Sequence, residues 1–393
     1  MIPILEFAYN CESMATKESQ TRLHEITIRS LPRLPAHFVS GVKWHAAGHI
    51  YTPRPVAAIF AVTRRCNARC IMCSHWKTRD YAKELSVSEI KEAFSNTLFE
   101  SLEKLVITGG EPVLRKDVVQ IAQAVLESCP KLKRISLRTN GLAPDLVTEK
   151  AKELLIMIDH NNRTIQFTVT VSLDGFGAIH DEIRGVPRAF EMACKTIEKL
   201  KTLQLQTPFY LACNCIVQPS NIDGLVKLAA FAKNLEIPIN FSPVIATDYF
   251  IEDPSERHAL LLTAAHYEKM RNVFERELQP HLLPSDIPLW LDYFSIMGGR
   301  KKRFPCSWLN HYIRIDSDGT LRICKGDDSL EYGSIRQTPP HVLWYSEERE
   351  LLKNRLKKQV CPSCPYTCDA ASSLSREFFH YASFWLKEKS KLR

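Results

Sequence analysis

Six apolar, β-branched runs, each followed by a stretch of helical character, predict an α/β protein with a parallel sheet, either doubly wound or closed partway into a barrel. Two further observations support that class. At 393 residues, 45% hydrophobic and 24% charged, the chain has the balance of a globular protein able to bury a full core. Four glycine-bearing turns also fall at four successive strand ends, the edge of a parallel sheet where ligands gather.

Residues 1–54 read as a lead-in, broken by Pro32, Pro35 and Pro53. The strand–helix rhythm then spans 55–250. It opens with strand 56–63, followed by a cysteine-rich loop and by Ser86-Val87-Ser88-Glu89, a capping box that starts a helix running towards Glu100. Strand 104–108 precedes helix 117–128, and strand 134–138 precedes helix 147–155. Strand 165–172 leads to helix 188–203, strand 209–217 to helix 224–235, and 238–245 is the sixth strand. A helix-rich connection, 251–300, follows. Within 301–370, alternation around Asp318-Gly319 marks a β-hairpin. The tail, 371–393, carries Phe378, Phe379, Tyr381, Phe384, Trp385 and Leu386 before a basic end. Such a helix commonly docks on its own core, attachment to a membrane surface or a partner being the minority reading.

The chemistry centres on Cys66, Cys70 and Cys73, three thiols within eight residues at the carboxyl end of the first strand. A loop there can fold back and aim several sulfurs at one centre. Three thiolates satisfy three irons of a four-iron cluster and leave the fourth open to a ligand. Zinc completed by His75, or a redox thiol pair, are the competing readings, although zinc sites usually begin with C-x2-C hooks far apart in sequence. Past the second strand, Thr108-Gly109-Gly110-Glu111-Pro112 combines glycines that permit close backbone approach with a carboxylate. Thr139-Asn140-Gly141 and Ser172-Leu173-Asp174-Gly175 end the third and fourth strands, with Arg184-Gly185 just beyond.

The formal charge of +8 is spread along the chain, and no basic stripe is interleaved with aromatics, which argues against nucleic acid as a partner. No run of eighteen apolar residues occurs, so no transmembrane segment is expected. The first twenty residues lack a signal-type apolar region, which predicts a cytoplasmic protein. Thirteen cysteines in such a chain point to metal or catalysis rather than disulfides. Cys11, Cys129, Cys194, Cys213 and Cys215 are scattered and read as buried packing.

With C-x3-C-x2-C and G-G-E-P in order, each directly after its strand, residues 55–245 resemble the radical S-adenosylmethionine (SAM) superfamily. The resemblance implies a partial (β/α)6 barrel in which Cys66, Cys70 and Cys73 ligate a [4Fe-4S] cluster whose fourth iron is chelated by SAM. It implies further that Gly109, Gly110 and Glu111 hold the SAM amino group, while Ser172 and Arg184 match positions contacting its carboxylate in peptide-modifying and sulfatase-maturing relatives. Met72 departs from the pattern, since an aromatic residue often precedes the third cysteine. An external electron donor such as flavodoxin or ferredoxin would reduce the cluster.

A second thiol group follows. Cys306 and Cys324 flank the hairpin, and Cys361-Pro362-Ser363-Cys364 with Cys368 completes five thiols. A zinc ribbon would use the same parts. Beside a radical core, the group resembles the auxiliary-cluster extension called SPASM in its long form and twitch in its short form. That implies a small C-terminal β-hairpin and helix iron–sulfur domain with an auxiliary [4Fe-4S] cluster on Cys306, Cys324, Cys361 and Cys364, Cys368 being in reserve. Lys325 stands where sulfatase-maturing relatives carry an aspartate, which counts against that activity. The function implied is radical SAM oxidation of a small polar metabolite, the auxiliary cluster accepting the electron. Alternatives are modification of a ribosomally made peptide, redox-neutral sugar epimerisation and, far below these, a non-catalytic iron–sulfur carrier.

Overall fold

The computed structural model describes residues 52–78, 81, 83–161, 163–278, 287–302, 306, 308–324 and 330–364. Most of the expected lead-in, Lys325, Cys11, Cys368 and the tail 371–393 lie outside them. Two compact units are present, one made of 54–266 with 308–358, the other including 267–307 and the residues from 359 onward.

The larger unit is built on a nine-stranded sheet in the order β6-β5-β4-β3-β2-β1-β7-β8-β9. The first six strands follow the expected rhythm. β1 (Ala57–Thr63) is buried at every position, as a strand covered on both faces must be, and leads through the cysteine loop to helix α1 (Val87–Phe94). β2 (Lys104–Gly109) is followed by α2 (Val118–Ser128), β3 (Arg134–Thr139) by α3 (Pro144–His160), and β4 (Gln166–Ser172) by α4 (Ala178–Arg184) and α5 (Ala189–Gln206). β5 (Tyr210–Val217), α6 (Leu225–Asn234) and β6 (Ile239–Pro243) complete the run. Every neighbouring pair from β1 to β6 is parallel. This parallel-rich α/β sheet is the architecture of a partial (β/α)6 barrel.

Three local departures have physical causes. The helix opened by Ser86 stops at Phe94 rather than reaching Glu100, because the Asn96 side chain accepts the Leu98 N–H and starts a separate 3-10 turn over Thr97–Ser101. The helix after β3 is longer than expected, since Pro144 occupies its first turn, where no N–H is needed. Helix α4 has no counterpart in the sequence reading. It is only seven residues long, sits between two glycines and ends on Gly185 in the left-handed region at φ 62°.

The hairpin forms as expected, β7 (Tyr312–Ile315) pairing antiparallel with β8 (Thr320–Arg322) around Gly319 at φ 92°. Its location is the new finding. β7 pairs parallel to β1, Ala57 facing Tyr312 and Phe60 facing Ile315, so hairpin and β9 (Glu331–Ser334) extend the barrel sheet past its first strand. Of the described residues in 301–370, those from 308 to 358 fall in the larger unit and the others in the second. The connection after β6 is helical at Pro254–Leu260, Ala264–Val273 and Ile287–Met297. No helix among the described residues is long and apolar enough to cross a membrane.

Candidate active site

The carboxyl ends of β1 to β5 bring the functional side chains together. From β1 the chain enters the Cys66–Cys73 loop, which α4 holds by two backbone bonds: Arg69 N–H to Arg184 O at 2.8 Å and Ile71 N–H to Ile183 O at 3.0 Å. Gly185 is required there, since a Cβ would overlap the Arg69 carbonyl. Ala68, Cys70, Leu142 and Ala189 form a buried cluster against which Cys66, Met72 and Cys73 pack. Burial pushes the Cys66 thiol up to about 11 and Cys73 to about 12, and Cys70 rises for the same reason. Charge on Cys70 raises both of the others, and Cys66 raises Cys73, so the three sulfurs share one neighbourhood.

Each sulfur also has a donor. Cys66 receives the Ala68 N–H and, at 3.7 Å, Asn140 Nδ2; Cys70 receives Arg184 Nη1 at 3.6 Å; Cys73 receives the His75 N–H. Among the described residues, no three Cys, His, Asp or Glu side chains are drawn close enough to hold a single metal ion. Zinc, with Zn–S bonds of about 2.3 Å, would place its sulfurs about 3.8 Å apart, whereas a cubane binds each thiolate at a different iron. In His75 one ring nitrogen is engaged. Its Nε2 donates to the Tyr249 carbonyl at 3.0 Å and its ring lies edge-on to Tyr249 and stacked on Phe250. Burial, with Arg64 and Arg314 adding to it, lowers its pKa to about 4 and keeps it neutral. Soft ligands with an N–H donor on every sulfur fit a site-differentiated cluster.

The glycines of the second strand end make their close approach to the chain itself. Gly110 N–H donates to Thr63 O and Glu111 N–H to Arg65 O, both at 2.7 Å, and a Cβ on Gly109 or Gly110 would overlap those carbonyls. Glu111 is wholly buried. One oxygen accepts the Asn140 N–H at 2.6 Å, the other the Val113 N–H at 3.4 Å, and Thr139 contributes a side-chain bond. Burial outweighs these donors and lifts its pKa to about 7. The carboxyl group fastens the ends of β2 and β3 together, and Asn140 links it onward to Cys66 and to Asn67 Oδ1.

Ser172 is the partly buried last residue of β4, and Arg184, at the end of α4, is buried. Arg184 Nη2 lies 2.6 Å from Asp174 Oδ2, a fully buried carboxylate. Asp174 Oδ1 accepts the Ile216 N–H at 2.8 Å, its own N–H donates to His180 Nδ1 at 3.0 Å, and Asn221 Nδ2 donates to its carbonyl at 2.7 Å. Burial alone would lower the Arg184 pKa, but Asp174 and Cys70 raise it, so the guanidinium stays charged. Its Nε is buried without a hydrogen-bond partner among the described residues. Sequence reasoning missed the roles of Asp174, Asn140, Asn221 and His180. The first two were visible only as residues of Asp-Gly and Asn-Gly turns; the signal that could have found Asp174 is a carboxylate at an apolar strand end with an arginine ten residues on.

The second thiol group is distributed. Cys324 follows β8 in the larger unit, while Cys306, Cys361 and Cys364 belong to the other. There Cys361 and Cys364 share one turn, Cys364 N–H donating to Cys361 O at 3.3 Å, and Lys302 N–H reaches Pro362 O at 2.8 Å. Cys213 and Cys215 share the buried face of β5 and read as core.

The carboxyl edge of a parallel α/β sheet thus brings three thiols into one neighbourhood. Residues 60–231 match the model of the radical SAM superfamily. Over 353 residues the chain is 27% identical to the AdoMet-dependent heme synthase of Methanosarcina barkeri, covering 83% of this chain and 92% of that one. It is also 27% identical over 293 residues to the GTP 3',8-cyclase of Campylobacter jejuni subsp. doylei, covering 70% and 82% respectively. The solved structure of tagged anSMEcpe with bound AdoMet shares the fold, with a TM-score of 0.56 at 18% identity over 84% of this chain and 98% of that one. Residues 60–231 therefore form a radical SAM domain. The family implies a [4Fe-4S] cluster and SAM, AdoMet in the names above.

Proposed function

We propose that the protein oxidises a small polar metabolite by radical SAM chemistry, with Cys66, Cys70 and Cys73 as the cluster ligands. The observation that carries the cluster assignment is the pre-shaped loop in which every thiol is packed in an apolar setting and supplied with an N–H donor. When bound and reduced, the cluster and SAM supply a 5'-deoxyadenosyl radical able to abstract hydrogen from an unactivated C–H bond. The chain's own residues bind, orient and exclude water. Ala68, Leu142, Ala189, Met72 and Met192 make the apolar wall around the thiols. Gly109, Gly110 and Glu111 shape the neighbouring strand end for the SAM amino group, the glycines through their backbone and Glu111 by bracing β2 against β3, while Ser172 and Arg184 serve its carboxylate.

Oxidation is favoured by the second thiol group. A cluster on Cys306, Cys324, Cys361 and Cys364, with Cys368 in reserve, would take the second electron from the substrate. The names of the two sequence relatives, a heme synthase and a GTP cyclase, support a small molecule over a peptide as substrate. An external ferredoxin or flavodoxin would deliver the first electron. The test is anaerobic reconstitution followed by dithionite reduction with SAM. Formation of 5'-deoxyadenosine, and its loss in the Cys66, Cys70 and Cys73 alanine variants, supports the reading; a folded, iron-loaded protein that leaves SAM intact refutes it.

A further inference from the structure

The buried pair Asp174–Arg184 meets the cysteine loop through Arg184, whose Nη1 reaches Cys70 Sγ and whose carbonyl accepts the Arg69 N–H. That is an unusual place for an ion pair. Desolvating two charges is costly unless they are closely paired and hydrogen-bonded, so a structure that keeps them uses them or holds them very well. Here the charges are closely paired and partly hydrogen-bonded, Asp174 Oδ2 and Arg184 Nε making no hydrogen bond among the described residues. Asp174 is held by Ile216 and Asn221, and its own N–H is held by His180. Arg184 then spans from that anchored carboxylate to a sulfur, with Nη2 on Asp174 at 2.6 Å and Nη1 on Cys70 at 3.6 Å.

Among the donors to the three thiols in the described residues, this is the one fixed cation. Cys66 receives a neutral amide, Asn140, and lies in the field of Glu111; Cys73 receives a backbone N–H and also feels Arg184. Cluster potentials follow net charge and the hydrogen bonds made to the sulfurs, and both effects are strong in an environment of low dielectric. Reduction adds one negative charge to the cluster. A guanidinium bonded to a ligating sulfur favours that charge, and the carboxylate behind it opposes it while preventing the guanidinium from moving away.

Resting on the assignment of Cys66, Cys70 and Cys73 as ligands, we propose that the Asp174–Arg184 pair sets the reduction potential of the cluster. Arg184 acts on the Cys70 sulfur directly, and Asp174 is a positioning residue that also trims its charge. The two members of the pair therefore have opposite electrostatic signs. Arg184→Gln removes the positive charge and makes the cluster harder to reduce. Asp174→Asn removes the negative charge and makes it easier to reduce. Arg184→Lys keeps the charge while losing the fork that reaches both partners, and falls between wild type and Arg184→Gln. A residue that only maintained the fold would change cluster content in every variant without this reversal of sign.

The experiment is a redox titration of the anaerobically reconstituted full chain, every sample carrying Cys306→Ala and Cys324→Ala so that the Cys66–Cys73 loop holds the one cluster titrated, followed by the electron paramagnetic resonance signal of that reduced cluster, with SAM left out so that no contact to its carboxylate contributes. Iron per chain is measured on each sample. The expected result is a downward shift in Arg184→Gln of at least tenfold in the one-electron equilibrium, about 59 mV, and an upward shift in Asp174→Asn. Shifts of the same sign, or none, in variants that retain the iron of the Cys306→Ala, Cys324→Ala parent overturn the proposal. If Asp174→Asn fails to load iron, the order parent, Arg184→Lys, Arg184→Gln decides, and equal potentials overturn it. A chain whose cluster content is unaffected by removing Cys66, Cys70 and Cys73 overturns the ligand assignment itself, which separates the two failures.

Discussion

Glu111 shows how a single side chain can serve the frame and carry an ionisation cost at once. Its carboxyl group, wholly buried, is raised from an ordinary 4.5 to about 7 chiefly by burial. Between those values the folded protein keeps a proton that the unfolded chain has released, so stability falls as pH rises from about 4.5 to about 7 and levels off above. A shift of that size corresponds to roughly 3 kcal/mol. Glu111→Gln cannot ionise, so urea denaturation at pH 5 and pH 7.5 should show that part of the decline removed, even though the variant loses an acceptor for the Asn140 or Val113 N–H. An unchanged decline would mean that the donors hold Glu111 ionised throughout. Next to it, Gly110→Ala places a methyl group on the Arg65 carbonyl, and only a backbone shift relieves the overlap. A loss of more than about 2 kcal/mol and a lower iron content are expected, read by denaturation and iron assay.

At the scale of elements, α1 illustrates what sequence signals fix. Ser86 and Glu89 close a reciprocal cap, and Arg336 reaches Glu89 Oε1 at 2.8 Å from the turn after β9. Ser86→Ala should cost about 1 kcal/mol in urea denaturation, while Arg336→Ala should cost less, because that ion pair is exposed to water. The cap was legible because it is local, four consecutive residues with one geometry. The same is true of the hairpin turn at Asp318-Gly319 and of the six strands, whose apolar runs stand out from their surroundings. α4 was not legible: Ala178–Arg184 lies between glycines and is too short to display a helical period. Its partnership with the cysteine loop, like the pairing of β7 with β1, is a contact between distant residues and leaves no local trace. For the same reason the thiols could be picked out by spacing, whereas Asp174 and Asn140, whose partners are far along the chain, looked like ordinary turn formers.

For the whole molecule the distinguishing quantity is metal content. Two cubanes require about eight irons per chain. Replacing Cys66, Cys70 and Cys73 together with alanine should roughly halve that figure and abolish 5'-deoxyadenosine formation. Replacing Cys306 and Cys324 should also lower iron, yet leave slow SAM cleavage, because the two groups of thiols would do separate work. Iron, zinc and deoxyadenosine assays on the same samples check this. About four irons with one zinc in the wild type would keep the radical core and remove the electron acceptor, shifting the reading from oxidation towards redox-neutral chemistry.

The backbone bonds from Arg69 and Ile71 to α4 have a further consequence for how such a protein is made. Because these bonds join the loop to a helix far along the chain, the thiols cannot take up this arrangement until the fourth strand and the helix after it have been made and packed, so a shorter nascent chain carries the cysteine motif without its frame.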